Sequence, residues 1–459
     1  MNLRLPPFII IAFLLSANQC FAEGENLNIY RNDKNFNRID ISGSTSVIHQ
    51  GKEIQIVNEK ENLTVPIDFI DSCVFRTSGI PTLSFKFVDY PDANTLWDKD
   101  LYLNTVLDIQ GNGFCESESG LTLSVKGRGN STWSMPKKPM RLKFEKKTSI
   151  CDFKKAKSYV LLANYLDYTS LKTAICLWLA DKLQVPFTNH LVPCNVEING
   201  VPQGLYNLTE KIGINSQSVD INEEEGVLFE IDTYYDEKYQ FKSAGYNLPV
   251  MVHDPDFDEL SDGLTPEERL KLWQEDFEKA EQNVLDGNGF ESFDIDSFAR
   301  YILLSEITNN IELNHPKSLF IFKEKIGDDN KYIFGPVWDF DMALRGIYAD
   351  GTYYAYTMSL SLHPFLRKLR NTSGFTDKYK ELYNWFLENI YDDLMNYIDE
   401  FAYLIEPDAI VNGVLWPTEG QLNGWSYHKD TFDHKQNVKD LKTWLQNRIN
   451  YFARLYKLI

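Results

Sequence analysis

The period of the apolar residues is mainly two in the first half of this chain and mainly helical in the second, and that change limits the folds it can adopt. Up to about residue 231 most apolar residues alternate with polar ones. Pro81-Thr-Leu-Ser-Phe-Lys-Phe-Val88, Leu101-Tyr-Leu-Asn-Thr-Val-Leu-Asp108 and Leu121-Thr-Leu-Ser-Val125 all follow this pattern. A period of two is that of a strand with one buried face. In Met140-Arg-Leu-Lys-Phe144 it puts Met140, Leu142 and Phe144 on one face and Arg141 and Lys143 on the other. Further strands are expected at 194–198, 203–208 and 227–231, the first two joined by Asn199-Gly200, a strong two-residue hairpin signal. A helix is expected at 171–183. From Thr265 the period lengthens. Thr265-Pro-Glu-Glu268 supplies a capping hydroxyl, a Pro at the first helical position and acids at the positive helix end. Helices are expected at about 266–286, 294–310, 376–404 and 434–457. Strands first and helices last, with no internal repeat or low-complexity linker, predict an α+β fold with two lobes.

The ends and the charge narrow the setting. Residues 1–22 hold Arg4, the apolar run Phe8-Ile-Ile-Ile-Ala-Phe-Leu-Leu15 and Cys20-Phe-Ala22. The run is too short to span a bilayer, so these residues predict a removable secretory signal and a secreted, periplasmic or cell-surface protein. A lipid anchor on Cys20 is the second choice, because Gln19 stands where lipoprotein signals place a small residue. Removal of the leader leaves Cys73, Cys115, Cys151, Cys176 and Cys194, an odd number that requires a free thiol or an intermolecular bond. No CxxC pair occurs, which argues against structural zinc. Residues 23–78 alternate around turn signals such as Gln50-Gly51 and predict an accessory β segment. A content of 43% hydrophobic residues is ample for a core and excludes extended disorder. A net charge of −20 argues against nucleic-acid binding, because phosphate backbones need clustered cations. No transmembrane span is expected.

Four segments bear chemistry. In Lys126-Gly-Arg-Gly-Asn-Ser-Thr-Trp133 two glycines flank Arg128 and free the backbone to turn. With Lys137, Lys138, Arg141 and Lys143 it forms a basic island suited to an anion, most simply a phosphate chain. The segment lacks the GxxxxGK[ST] pattern of a Walker loop. In Gly335-Pro-Val-Trp-Asp-Phe-Asp341 the carboxylates of Asp339 and Asp341 would point the same way on a continuing strand. Such a pair is unfavourable without a cation, and Mg²⁺ shared with substrate phosphates suits it. Ser305 to Ser318 crowds polar groups between a helix and a strand, with Glu306 on the helix and Asn309, Glu312 and Asn314 in the connection. Glu210 beside Lys211 could orient a Lys from the basic strand, as kinases pair a phosphate-binding Lys with a Glu. The acids form no recognisable glycosidase pair.

In order, these segments resemble the CotH kinase family. The resemblance rests on Arg128-Gly-Asn-Ser-Thr-Trp133 with Pro136-Lys-Lys-Pro139, Leu161-Leu-Ala-Asn-Tyr165 with Asp167, and Gly204-Leu-Tyr206 with Glu210-Lys211. It continues through Glu230-Ile-Asp232, residues 309–318 and Trp338-Asp-Phe-Asp341, and spans about residues 80–455. It implies an atypical protein-kinase-like domain at 79–459, with a β-rich N-terminal lobe at about 79–260 that grips ATP. A helical C-terminal lobe at about 261–459 would supply metal and catalytic carboxylates. It implies Asp339 and Asp341 as Mg²⁺ ligands, and Arg128, Lys138, Arg141, Lys143 and Glu210 around the nucleotide. Glu312 stands at the catalytic position, where active members typically carry Asp. The implied activity is Mg-ATP-dependent phosphorylation of Ser or Thr on a protein. The alternative is an inactive CotH-like surface protein that binds a protein or glycan partner.

Overall fold

The computed structural model describes residues 79–96, 98–167, 169–261, 263–344, 356–417 and 434–458. It also describes six N-terminal strands, β1 (Glu25–Arg31), β2 (Phe36–Ile41), β3 (Ser46–Gln50), β4 (Glu53–Val57), β5 (Asn62–Pro66) and β6 (Ile70–Thr77), and short strands at 421–422 and 425–426. The leader, with Cys20, lies outside the described residues. The N-terminal strands form two three-stranded antiparallel sheets, β2-β1-β6 and β3-β4-β5.

Seven strands then close into a barrel, in the order β10-β11-β13-β12-β7-β8-β9. They are β7 (Thr82–Phe87), β8 (Leu103–Gln110), β9 (Glu118–Gly127), β10 (Met140–Thr148), β11 (Ala156–Leu162), β12 (Val192–Ile198) and β13 (Val201–Glu210). Alternation fills the interior. Leu83, Phe85, Leu107, Val125, Met140, Leu142, Phe144, Leu161 and Leu208 are all buried in one core, and Arg141 and Lys143 face outward from β10. The turn between β12 and β13 has Asn199 at φ 48° and Gly200 at φ 80°, the left-handed pair that a two-residue hairpin needs. Cys115, Cys151, Cys176 and Cys194 are free thiols. The barrel as a closed figure is not legible from the strands one at a time, because closure depends on the parallel β7–β12 pair across more than a hundred residues.

A second sheet, β15-β16-β14-β17-β18, comprises β14 (Val227–Ile231), β15 (Gln240–Lys242), β16 (Pro249–Asp254), β17 (Leu319–Lys323) and β18 (Ile333–Phe334). One face, including Val227, Phe229, Ile231, Leu319 and Ile321, packs into a large core shared with the helices. These are α1 (Lys172–Lys182), α2 (Pro266–Asp286), α3 (Ile295–Thr308), α4 (Pro364–Arg370), α5 (Phe375–Asn389), α6 (Tyr391–Leu415) and α7 (His434–Leu455). The other face offers Leu228, Phe320 and Phe322 to Ile212, Ile214 and Val219, just past the barrel. Packing therefore changes near residue 210 rather than near 260, since β14–β16 belong to the helix-covered sheet. The helix expected at 376–404 is two helices that meet at Ile390. The fold is α+β, with the two kinds of element interleaved rather than segregated.

The start of α2 is set locally. Glu268 N donates to Thr265 Oγ1 at 3.2 Å, Thr265 N donates to Glu268 Oε2 at 2.9 Å, and Pro266 occupies the first turn. The barrel is fixed to the helices through α6. Asn412 Oδ1 accepts from Lys137 Nζ at 2.7 Å and from Leu205 N at 3.1 Å, and Asn195 Nδ2 donates to Asp408 Oδ1 at 2.8 Å. Lys137, expected in the basic island, is thus a buried tether whose ammonium also lies over Tyr206. Burial lowers its pKa well below the ordinary lysine value.

Candidate functional site

The loop after β9 turns back on itself. Gly129 has φ 88°, and a Cβ there would stand 2.4 Å from Thr132 Oγ1, so glycine is required on both counts. Residues 131–134 form one 3₁₀ turn, and Trp133 N donates to Asn130 O at 3.2 Å. The turn aims Arg128 across the molecule. Its guanidinium carbon lies 5.6 Å from the centre of the Trp338 ring, next to Asp339. Burial lowers the Arg128 pKa, and Asp339, Asp341 and Glu230 oppose that shift. The arginine of the first segment and the acids of the last, more than two hundred residues apart in sequence, therefore share one electrostatic neighbourhood.

The acidic pair is not on a strand. Pro336 has no N–H to continue the ladder, and β18 ends at Phe334. Asp339 then takes a left-handed conformation at φ 57°. Its Oδ1 accepts from Asp341 N at 3.4 Å. The two carboxylates come together by this turn and not by the i, i+2 rule of a strand. Burial raises the Asp339 pKa, although the Asp341 amide and Arg128 pull it down. Burial first, then the Asp339 charge, raises Asp341 to about 7.

Glu312 reaches the same place from another direction. Helix α3 stops at Asn309, which is left-handed at φ 49°, and a 3₁₀ turn covers Ile311–Asn314. Asn310 holds both sides of the gap: its Oδ1 accepts from Glu312 N at 3.3 Å, and its Nδ2 donates to Asp339 O at 3.2 Å. Glu312 is 6% exposed. Burial, and then Asp339, raises its pKa to about 7, with Lys317 opposing. Its Oε2 approaches His315 Nε2 at 3.4 Å without hydrogen-bond geometry. Burial keeps His315 below its ordinary pKa, so that ring does not supply a compensating charge near neutrality. Arg141 Nε and both amide atoms of Asn309 are also buried without a hydrogen-bond partner. Buried polar atoms of a native fold rarely stay unpaired, so these are the atoms a ligand would satisfy.

Of the residues predicted from sequence, the structure brings together Arg128, Arg141, Glu312, Asp339 and Asp341. Lys143 is exposed, with its ammonium 5.6 Å from the Tyr102 ring centre, beside Lys126. Lys138 Nζ donates to Trp133 O at 2.7 Å and braces the loop. Glu210 orients no lysine: its carboxylate accepts from His190 N at 2.9 Å and meets His190 Nδ1 at 2.7 Å. Strand alternation explains this. With Glu210 turned to His190, Lys211 turns the other way, where it feels Arg141, Asp254, Glu237 and Glu230. The expected residues also omit Asp232 and Lys317. Asp232 accepts from Ser318 N at 3.0 Å and raises Glu312, and the Lys317 charge lowers both Glu312 and Asp339. Asp167 caps α1 by accepting from Lys172 N at 2.8 Å, and both residues act on Asp341.

The raised carboxyls of Glu312 and Asp341 make stability pH-dependent in a defined direction. A folded-state pKa above the ordinary carboxylate value means that the folded chain holds more protons than the unfolded chain between about pH 4 and 7. The contribution is favourable below the ordinary value and is lost as pH rises through about 7. Denaturant midpoints measured without divalent cations should fall from pH 5 to pH 8, and Glu312→Gln or Asp341→Asn should each flatten the slope. The Glu312 share is at most about 3 kcal/mol. A steeper slope in either variant would contradict the assignment.

Comparison with known families matches residues 125–452 to the one described as CotH kinase protein. The matched stretch includes every residue of the cluster. It begins inside β9, so β7 and β8 of the barrel precede it. No curated protein matches the chain.

Proposed function

The chain belongs to the CotH kinase family, and on that premise we propose that it transfers the γ-phosphoryl group of Mg-ATP to a Ser or Thr hydroxyl of a protein. The observation that carries this reading is the meeting of Arg128, on its glycine-flanked loop, with Asp339, Asp341 and a Glu312 raised to about 7. A barrel that contributes cations and a helix-covered part that contributes carboxylates support the two-lobed, kinase-like reading. Export through the leader at 1–22 belongs to the same proposal and would place the acceptor proteins outside the cytoplasm.

The residues fit a magnesium nucleotide. Asp339 and Asp341 crowd like charges in a half-buried turn and would hold the metal. Arg128 and Arg141, with Lys211 behind them, would hold phosphate oxygens. When bound, Mg²⁺ would neutralise charge shared between the phosphates and the aspartates. Glu312 would accept the proton of the attacking hydroxyl as its oxygen bonds to phosphorus and the bond to the departing ADP oxygen breaks. A base with a pKa near 7 is about half ionised at neutral pH and well matched to that task. Asn310 positions Glu312 against Asp339 through its two hydrogen bonds. Positioning and charge stabilisation would carry most of the rate.

Thermal melts with and without Mg-ATP test the binding half of the proposal. Wild type should gain about 2.7 kcal/mol at a hundredfold excess over Kd. Asp339→Asn removes one charge with little change of shape and should lose that gain. An undiminished gain in the variant would remove Asp339 as a ligand.

A further inference from the structure

Outside the Asp339–Asp341 pair, one cluster of ligand-type side chains stands out among the described residues. Glu230 on β14, His253 on β16 and Glu237 in the connection after β14 each offer one atom, and these atoms lie within 4.8 Å of one another. His253 Nδ1 is 2.9 Å from Glu230 Oε2 and 3.9 Å from Glu237 Oε1. With those two sides and a third no longer than 4.8 Å, a point exists about 2.0–2.4 Å from all three atoms. Nitrogen and oxygen ligands sit at about 2.0–2.2 Å from zinc, so shifts of a few tenths of an ångström would close the site.

We propose that Glu230, Glu237 and His253 bind one divalent transition-metal ion of the zinc class, separate from the metal of the aspartate pair. A second observation points the same way. His253 Nε2 faces the carbonyl of Ile212 at 3.4 Å, and a carbonyl can only accept, so Nε2 is placed to carry the ring proton when Nδ1 takes a metal. In that tautomer the Nδ1 lone pair and the two carboxylates are three acceptors facing one point, which a cation would satisfy. Donation of the far ring nitrogen to a backbone carbonyl is the usual outer support of a metal-bound histidine. The Phe320 ring, edge-on with its centre 5.1 Å away, fixes the plane of the imidazole.

Exposure suits entry of an ion. The side chains of His253 and Glu230 are 14% and 16% exposed, whereas Glu237 is 44% exposed and faces solvent. Lys211 is the nearby cation; its charge acts on Glu237 and is acted on by both glutamates. An imidazole ligand favours zinc over magnesium, which takes oxygen ligands and retains its water. Register supplies the reason these residues meet. β14 and β16 pair antiparallel with Glu230 opposite Met251, and the register shift lies between Leu228 and Phe229, beside His253.

Calorimetric titration of the full chain with Zn²⁺ alone and with Mg²⁺ alone tests the site. Wild type should bind one Zn²⁺ at this site and discriminate against Mg²⁺. His253→Ala and Glu237→Gln should each weaken Zn²⁺ binding at least tenfold, and Asp339→Asn should leave it unchanged. Glu237 is exposed, so its variant keeps the test valid if the His253 variant folds poorly. An anomalous peak at the zinc edge between these three side chains in zinc-soaked crystals is the matching structural result. Absence of saturable Zn²⁺ binding in wild type, undiminished binding in Glu237→Gln, or loss of binding in Asp339→Asn would each overturn the proposal. Failure of the kinase reading would leave it standing, since no arm depends on ATP.

Discussion

Glu312→Gln is expected to lower phosphoryl transfer by ~10²–10⁴-fold, or roughly 3–5 kcal/mol of barrier, the range found when general-base assistance is lost. The amide keeps the size of the side chain and cannot take the hydroxyl proton. Stabilisation by Mg-ATP should survive, because Glu312 is placed to act on the acceptor and not on the metal. The wild-type rate should rise with pH through about 7 as Glu312 ionises, and the variant should lack that limb. Labelled γ-phosphate transfer to a generic Ser/Thr substrate and to the protein itself provides the measurement, with Glu312→Asp as a third chain. Retraction of the carboxylate by one methylene restores the residue typical of active family members. Equal, robust transfer by wild type and Glu312→Gln would remove Glu312 from the mechanism. Silence from all three chains with nucleotide bound would favour the inactive, partner-binding alternative.

Glu306→Ala is expected to cost about 3–5 kcal/mol of folding stability, the range for breaking a buried ion pair from one side. Glu306 is 2% exposed, on the last turn of α3. Its carboxylate accepts from Tyr456 OH at 3.0 and 2.9 Å, from Tyr379 OH and from Arg370 Nη2 at 3.3 Å. Loss of the acid removes the carboxylate partner of Arg370 and of the Tyr379 and Tyr456 hydroxyls at once. Glu306→Gln keeps an acceptor and should cost less. Urea midpoints of the three chains provide the check. An alanine variant as stable as wild type would show that the network holds nothing together. If stability falls, the position of Glu312, six residues on, should be disturbed too, because α3 sets where the 3₁₀ turn begins.

Glu306 and Glu312 show where reading the sequence stops. Both are glutamates in one polar stretch. Periodicity assigns the first to a helix and the second to its connection, and the structure agrees on both. Periodicity does not reveal that one carboxylate meets Arg370 and Tyr456, while the other is left with an unpaired oxygen near Asp339. Those partners come from helices and turns distant in sequence, and their approach depends on how the large core packs. The same limit applies to the basic island. Alternation assigns Arg141 and Lys143 to the outer face of β10 without showing which of them meets the acids.

What the sequence determined by itself is local. The Thr265 capping box, the Asn199-Gly200 hairpin and the inward set Met140, Leu142 and Phe144 each depend on neighbours within a few residues, where propensity and hydrogen-bond geometry suffice. The order of the motifs also sufficed for the family. Tertiary structure alone decided the rest. It closed seven strands into a barrel, buried Lys137 as a tether, turned Glu210 to His190 and Lys211 toward the acids, and made a turn rather than a strand gather Asp339 and Asp341. Each of these outcomes depends on a partner more than a few residues away or on a backbone angle such as φ 57° at Asp339. Neither is encoded in the period of a short segment, because a side chain's partners are fixed only when separate elements pack and exclude water between them.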